Sequence, residues 1–319
     1  MIIRPLIASD VQNSITLWNL CLTEDSINEK NFYNRIICDI NFNPNLYLLA
    51  EENGELVGFA YGTKRIAQDE VVGLQTNMAW IVAMGVAPQH RRKKYGTELV
   101  RALEAALNVQ KIELGAYATN YFFPGVDEKH YAGGIDFFKS LGYAASHTSV
   151  SMDLNLRDYQ TPQKYLDKKA KLEESGYIFR SLLLNDTLPA LEFLRKEFPA
   201  WLPAVRENIL RGRGEETIQL AISPQGKVVG FAMRAMDGTD GRFGPFGVCQ
   251  SQQGTGLGGV LFHNLISDMI KRRIFYTWFL WTSGRNLDIY ATWGMKIYRT
   301  YMMMEKSTAN APYSRETGR

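Results

Sequence analysis

The sequence repeats itself, and a chain that does so is built from copies of one folding unit. Ile2 to Asp10 returns as Ile178 to Asp186, 176 residues later. Asn53 to Ala60 is answered by Gln225 to Ala232 at an offset of 172, and the turn ending in Gly96 by the one ending in Gly258 at 162. Phe138 to Gly142 matches Tyr290 to Gly294 at 152. The order is kept and the offset only falls, as one duplicated unit with shorter loops in its second copy would give. The 319 residues then divide into two units of ordinary domain size.

Each copy reads the same way. An extended start leads to an Asp at a helix N-cap position (Asp10, Asp186) and two helical stretches. A hairpin follows, 46–51 with 55–64 around Asn53-Gly54, and 217–222 with 227–236 around Gln225-Gly226. Next comes an apolar strand, 79–86 or 243–248. A turn then opens a helix whose leucines recur at helical spacing: Leu99, Leu103 and Leu107, then Leu257, Leu261 and Leu265. Another strand (111–119; 274–282), a short helix and a closing strand (149–154; 297–305) complete the unit. The expected class is α/β (α+β), with a mixed central sheet flanked by helices in each copy. The expected domains are 1–156 and 165–306, with 157–164 as linker and 307–319 as a polar tail.

Composition narrows the function. Lys plus Arg exceed Asp plus Glu by 36 to 33, too small a surplus for a nucleic-acid binder. Cys21, Cys38 and Cys249 lie far apart with no CxxC, which suits a reducing cytoplasm and excludes a disulfide framework or a cysteine zinc site. The histidines, His90, His130, His147 and His263, show no metal spacing, so no metal is expected. Apolar runs stay well below the ~18–20 residues of a membrane helix, and no secretory signal is visible. The expectation is a soluble cytoplasmic protein with no membrane or nucleic-acid partner.

The chemistry points to the turns. In the second copy, Gln253-Gly254-Thr255-Gly256-Leu257-Gly258-Gly259 lies between a strand and a helix, where glycines admit a ligand and helix amides favour an anion. Gly254-x-Gly256-x-x-Gly259 matches a dinucleotide fingerprint, but the next strand lacks its acidic residue; a P-loop would need Gly-Lys-Ser/Thr, which is absent. The segment 253–258 instead resembles the acetyl-coenzyme A motif of the Gcn5-related N-acetyltransferase (GNAT) superfamily: Gln or Arg, two residues, Gly, one residue, then Gly or Ala. The first copy has an altered version, Arg91-Arg92-Lys93-Lys94-Tyr95-Gly96-Thr97, with Lys94 where a glycine belongs. Phe137 to Tyr143 and Ile289 to Met295 resemble the family's late helix-to-strand corner. The whole chain is similar to tandem GNAT proteins, whose C-terminal unit is the catalytic one.

The resemblance implies acetyl-CoA as cosubstrate, a small-molecule primary amine as acceptor, direct transfer, and a homodimer as an allowed state. Coenzyme-binding positions would be Phe246, Val248 and Gln253 to Gly259, with Val86, Arg91 to Lys94, Tyr95, Gly96 and Thr97 as counterparts. A backbone N–H at the strand end, Val248 or Val86, would polarise the carbonyl. Tyr290 would protonate the departing thiolate, a role its counterpart Phe138 cannot fill, so the second copy is the expected catalytic one. No general base stands out: Asp237, Asp240 and Glu305 are weak candidates beside ordered water. Cys249, the tryptophans of the second copy and the aromatic loop 121–125 read first as packing residues. The rival class is a non-catalytic coenzyme A-binding scaffold, with a dinucleotide oxidoreductase far behind.

Overall fold

The computed structural model describes residues 1–69, 71–117 and 122–308. The end of the strand expected through Thr119, Tyr121 of the aromatic loop, and the tail beyond 308 lie outside the described residues. The chain forms two compact units, Met1–Val150 with Arg299–Arg319, and Ser151–Tyr298.

The first unit runs β1 (Ile2–Pro5), α1 (Val11–Cys21), α2 (Glu29–Phe32), β2 (Tyr47–Glu52), β3 (Glu55–Thr63), β4 (Met78–Val86), α3 (Tyr95–Leu107), β5 (Lys111–Leu114), β6 (Val126–Asp127), α4 (Ala132–Ser140) and β7 (Ala144–Asn155). Strands β1 to β4 pair antiparallel in sequence order, and β5 then joins β4 in parallel. Helix α3 buries Leu99, Leu103 and Leu107 completely, the face their spacing predicts.

The chain continues through α5 (Gln163–Glu174), β8 (Ile178–Ser181), α6 (Thr187–Glu197), α7 (Leu202–Leu210), α8 (Gly214–Thr217), β9 (Ile218–Ile222), β10 (Val228–Arg234), β11 (Phe243–Val248), α9 (Leu257–Lys271), β12 (Tyr276–Thr282), α10 (Arg285–Thr292) and β13 (Lys296–Ser307). In the second unit β8 to β11 pair antiparallel in sequence order. Leu257, Leu261 and Leu265 of α9 are fully buried.

The last strands are exchanged. In the first unit it is β13 that borders β5, with Glu305 opposite Glu113 and Ser307 opposite Lys111, and it also pairs with β6. In the second unit the end of β7 lies beside β12, where the Ser151 hydroxyl donates to the Leu280 carbonyl at 2.8 Å.

Asp10 and Asp186 turn backward rather than capping forward. Asp10 accepts the Ile7 amide at 3.0 Å and pairs with Arg4 at 2.6 Å. Asp186 accepts the Leu183 amide at 2.7 Å and pairs with Arg180. A guanidinium on the preceding strand is a stronger donor than a neutral amide, so it captures the carboxylate in both copies. Among the described residues no helix is long and apolar enough to cross a membrane, and no group of three His, Cys, Asp or Glu could hold a metal ion.

Candidate functional site

In the first unit β4 and β5 stay parallel only from Met78 opposite Lys111 to Ile81 opposite Leu114. β5 ends there, whereas β4 continues to Val86 against β3. The Ala87 amide donates to the Val57 carbonyl at 2.9 Å. In an antiparallel ladder that turns the N–H and C=O of Val86 to the opposite, open edge. The Arg91 Nε on the Val86 carbonyl at 3.0 Å agrees with it.

A cleft of about 950 Å³ opens along this edge. That is near the upper end of the ~300–1,000 Å³ usual for ligand sites. Ile81 to Val86 form one wall, and Gly133, Gly134 and Asp136 to Phe138 contribute another from α4. One end is the turn into α3, with Arg91, Arg92, Lys94 and Tyr95 to Thr97; elsewhere Cys21, Leu22, Phe123, His130 and Tyr131 line the cleft. Burial pushes the Cys21 thiol up to about 12, so it stays protonated and is no nucleophile.

Arg92 (φ 63°) and Lys94 (φ 68°) take the left-handed backbone that Gly254 (φ 78°) and Gly256 (φ 85°) take in the second copy. The cradle shape therefore survives without its glycines. The Glu98 amide bonds back to the Lys94 carbonyl at 3.1 Å, and the amides of Tyr95, Gly96 and Thr97 precede it at the helix start. Such first-turn amides have no partner within their helix and favour an anion. Arg91, Arg92, Lys93 and Lys94 are all exposed around them. Tyr95 is anchored by its hydroxyl on Glu52, which also meets His90 at 3.1 Å.

The second copy keeps the same backbone plan. The Cys249 amide donates to the Val229 carbonyl at 2.9 Å, which turns Val248 to the edge away from β10. The Gln253 side chain reaches the Val248 carbonyl at 3.5 Å, as Arg91 reaches Val86. Thr255 bonds to the Gln252 carbonyl at 2.8 Å, and Leu257 is buried as the first residue of α9. The surroundings differ. Helix α5, which begins at the end of the expected linker and lies mostly at the start of the expected second domain, runs across this turn. A Cβ added at Gly259 would fall 2.4 Å from the Tyr165 ring, and one at Gly256 3.0 Å from Lys168. Gly258 is bordered by Phe246, Val248 and Trp293.

Tyr290 packs against Phe243, Phe246, Phe279 and Trp293, with ring centroids 4.7 to 6.5 Å apart. Burial raises its phenol well above the usual value. Phe138, its counterpart, is a buried ring set edge-on to Tyr143. Asp240 is tied to Arg213 and Arg234, and Glu305 to Lys111, which leaves neither poised as a base.

One cluster escaped the sequence reading. Arg299 of β13 holds Asp25 with two nitrogens, at 2.6 and 2.8 Å, and Asp127 with its Nε at 2.5 Å. Asp127 meets His130 Nδ1 at 3.0 Å, and Asp25 accepts the Tyr131 hydroxyl at 2.8 Å. His130 and Tyr131 both line the cleft. The only sequence signal is the Asp-x-x-His spacing at 127–130, which is common in turns.

Residues 13–143 match the acetyltransferase (GNAT) family. A GCN5-related glucosamine N-acetyltransferase region of a fungal multi-domain GH3 β-N-acetylglucosaminidase superposes with a TM-score of 0.79 at 19% identity, over 95% of this chain and 38% of that one. This chain thus spans well under half of that protein. A GCN5-related N-acetyltransferase from Sphaerobacter thermophilus gives 0.71 at 16% identity, covering 98% and 96%. A tandem GNAT protein from the clavulanic acid biosynthesis pathway gives 0.67 at 15%, covering 98% and 99%. At such identities the likeness is one of fold. No curated protein matches the chain. The family match thus lies within the first unit, and the chain as a whole shares the fold of GNAT proteins, a tandem one among them.

Proposed function

We propose that the first unit moves an acetyl group from acetyl-CoA to a primary amine of a small molecule. The observation that carries this is the open edge of β4 running into the left-handed, basic turn before α3, within one cleft. That cradle suits a diphosphate: the amides of Tyr95 to Thr97 would donate to it, and Arg91 to Lys94 would balance its charge. The backbone of Met84 to Val86 would hold the extended arm in strand-like fashion, and the Val86 N–H would be the donor to the carbonyl oxygen. Acetyl-CoA supplies the acyl group already activated as a thioester. The residues of this chain have only to position it, shield it and move one proton. The widely spaced thiols, all free, favour a reducing compartment such as the cytoplasm.

A second reading puts the coenzyme at Gln253 to Gly259, with Phe246 and Val248 beside it and Tyr290 as proton donor. The unstrained glycines at 254 and 256 favour it; the Tyr165 and Lys168 side chains over that turn weigh against it. Calorimetry with acetyl-CoA and with NAD, followed by thiol release in the presence of glucosamine and other primary amines, tests the proposal. Acetyl-CoA binding with amine-dependent thiol release supports it. Binding without turnover would leave a coenzyme A-binding scaffold, and binding of NAD alone would end the acetyltransferase reading.

A further inference from the structure

Acetyl transfer to an amine needs a proton acceptor, and β4 offers none between Ile81 and Val86. The cleft offers one elsewhere. His130 follows the short strand β6, and its side chain keeps 25% of its exposure while Asp127 behind it keeps 1%. The Asp127 carboxylate accepts backbone amides from Lys129 and His130, both at 2.8 Å, in addition to the His130 ring and Arg299. Burial alone would raise this carboxyl, but those donors hold it below the usual carboxylate value, so it is ionised and can only accept. His130 Nδ1 must then be the donor of their 3.0 Å bond, and in the neutral ring that leaves Nε2 without a proton.

The charges around the ring agree with this orientation. Asp127 on β6 and Asp25 after α1 bring two negative charges, and Arg299 on β13 brings one positive. Tyr131, at the start of α4, points its hydroxyl at Asp25 and is neutral; Asp136, one turn further along α4, is the acid among the residues lining the cleft. The Asp25–Arg299–Asp127 group thus carries one net negative charge, which one proton on His130 would balance.

We propose that His130, oriented by Asp127 and through it by Arg299, accepts the proton of the attacking amine in the cleft of the first unit. The inference rests on the coenzyme site proposed above. As the amine nitrogen bonds to the acetyl carbon and the carbon–sulfur bond breaks with its electron pair left on sulfur, the amine's proton passes to Nε2. From there it goes to the departing sulfur, and the imidazole returns to its neutral form. His130 is the catalytic residue; Asp127 and Arg299 are positioning residues.

The test has a readout that needs no coenzyme. Nitrogen NMR of the imidazoles should show His130 as the Nδ1–H tautomer near neutral pH, with Asp127→Asn abolishing that bias. The Nε2–H tautomer in the wild type would overturn the proposal. With acetyl-CoA and either glucosamine or benzylamine, His130→Gln should bind the coenzyme within about twofold of wild type. It should release thiol at least ~100-fold more slowly at pH 7, the usual scale of a lost general base, with a rate that climbs as hydroxide replaces it. Wild-type-like turnover in His130→Gln, or thiol release by the wild type with neither amine, would overturn the proposal while leaving coenzyme binding intact. Failure of the wild type to bind acetyl-CoA would instead remove the site on which it rests.

Discussion

Lys94 and Gly256 stand at the same position of the same turn in the two copies, and both are left-handed, at φ 68° and 85°. A non-glycine residue there costs ~1–2 kcal/mol in backbone strain. Glycine would relieve it, less ~0.4–1 kcal/mol for the greater freedom of the unfolded chain. Lys94→Gly should therefore gain about 0.5–1 kcal/mol in urea unfolding, whereas Lys94→Ala should gain nothing. A loss of stability in Lys94→Gly would mean that the lysine side chain holds the turn in some other way.

Arg299 faces two carboxylates, one of them buried. Arg299→Met would leave both without their cation and should cost about 3–5 kcal/mol, the usual penalty for breaking a buried pair from one side. Arg299→Lys should recover only part of this, because an ammonium cannot reproduce three fixed nitrogen contacts. Denaturant midpoints of the three proteins check the order.

His263 is buried in α9, meets the Tyr159 hydroxyl with Nδ1 at 2.6 Å, and packs against a tilted Tyr165 ring with centroids 4.1 Å apart. Burial, with Lys164 nearby, lowers it from 6.5 to about 4. Between these values the unfolded chain holds the extra proton and the folded one does not. Stability should be complete above the unfolded value and fall as the pH drops toward the folded one, by roughly 3 kcal/mol in all. His263→Gln should be less stable at neutral pH but lack that component of the slope. Parallel pH dependences in the two proteins would show that His263 does not titrate in this way.

Much of the architecture was legible because the duplicate confirmed each element twice. The leucines of α3 and α9, the hairpins and β11 lie where spacing places them. Helix α5 was not, since Gln163 to Glu174 buries only Leu172 and is otherwise a charged run without an apolar face. The exchange of β7 and β13 was equally hidden, because an alternating strand does not say which sheet it joins. For the site, the motif located both turns, but residue type alone could not show Lys94 left-handed. Nor could it show Tyr165 covering the glycines that match the motif best. Arg299 lies 172 residues from Asp127, and only the folded chain brings them together.

The account turns on which cradle receives the diphosphate, and one matched pair of substitutions decides it. Lys93 and Thr255 occupy equivalent positions of the two turns, and Lys93 is exposed, so a glutamate there adds an anion without disturbing packing. Calorimetric titration with acetyl-CoA should show Lys93→Glu weakened at least tenfold and Thr255→Glu bound like the wild type. The reverse pattern would move the coenzyme to the second copy and contradict the assignment to the first.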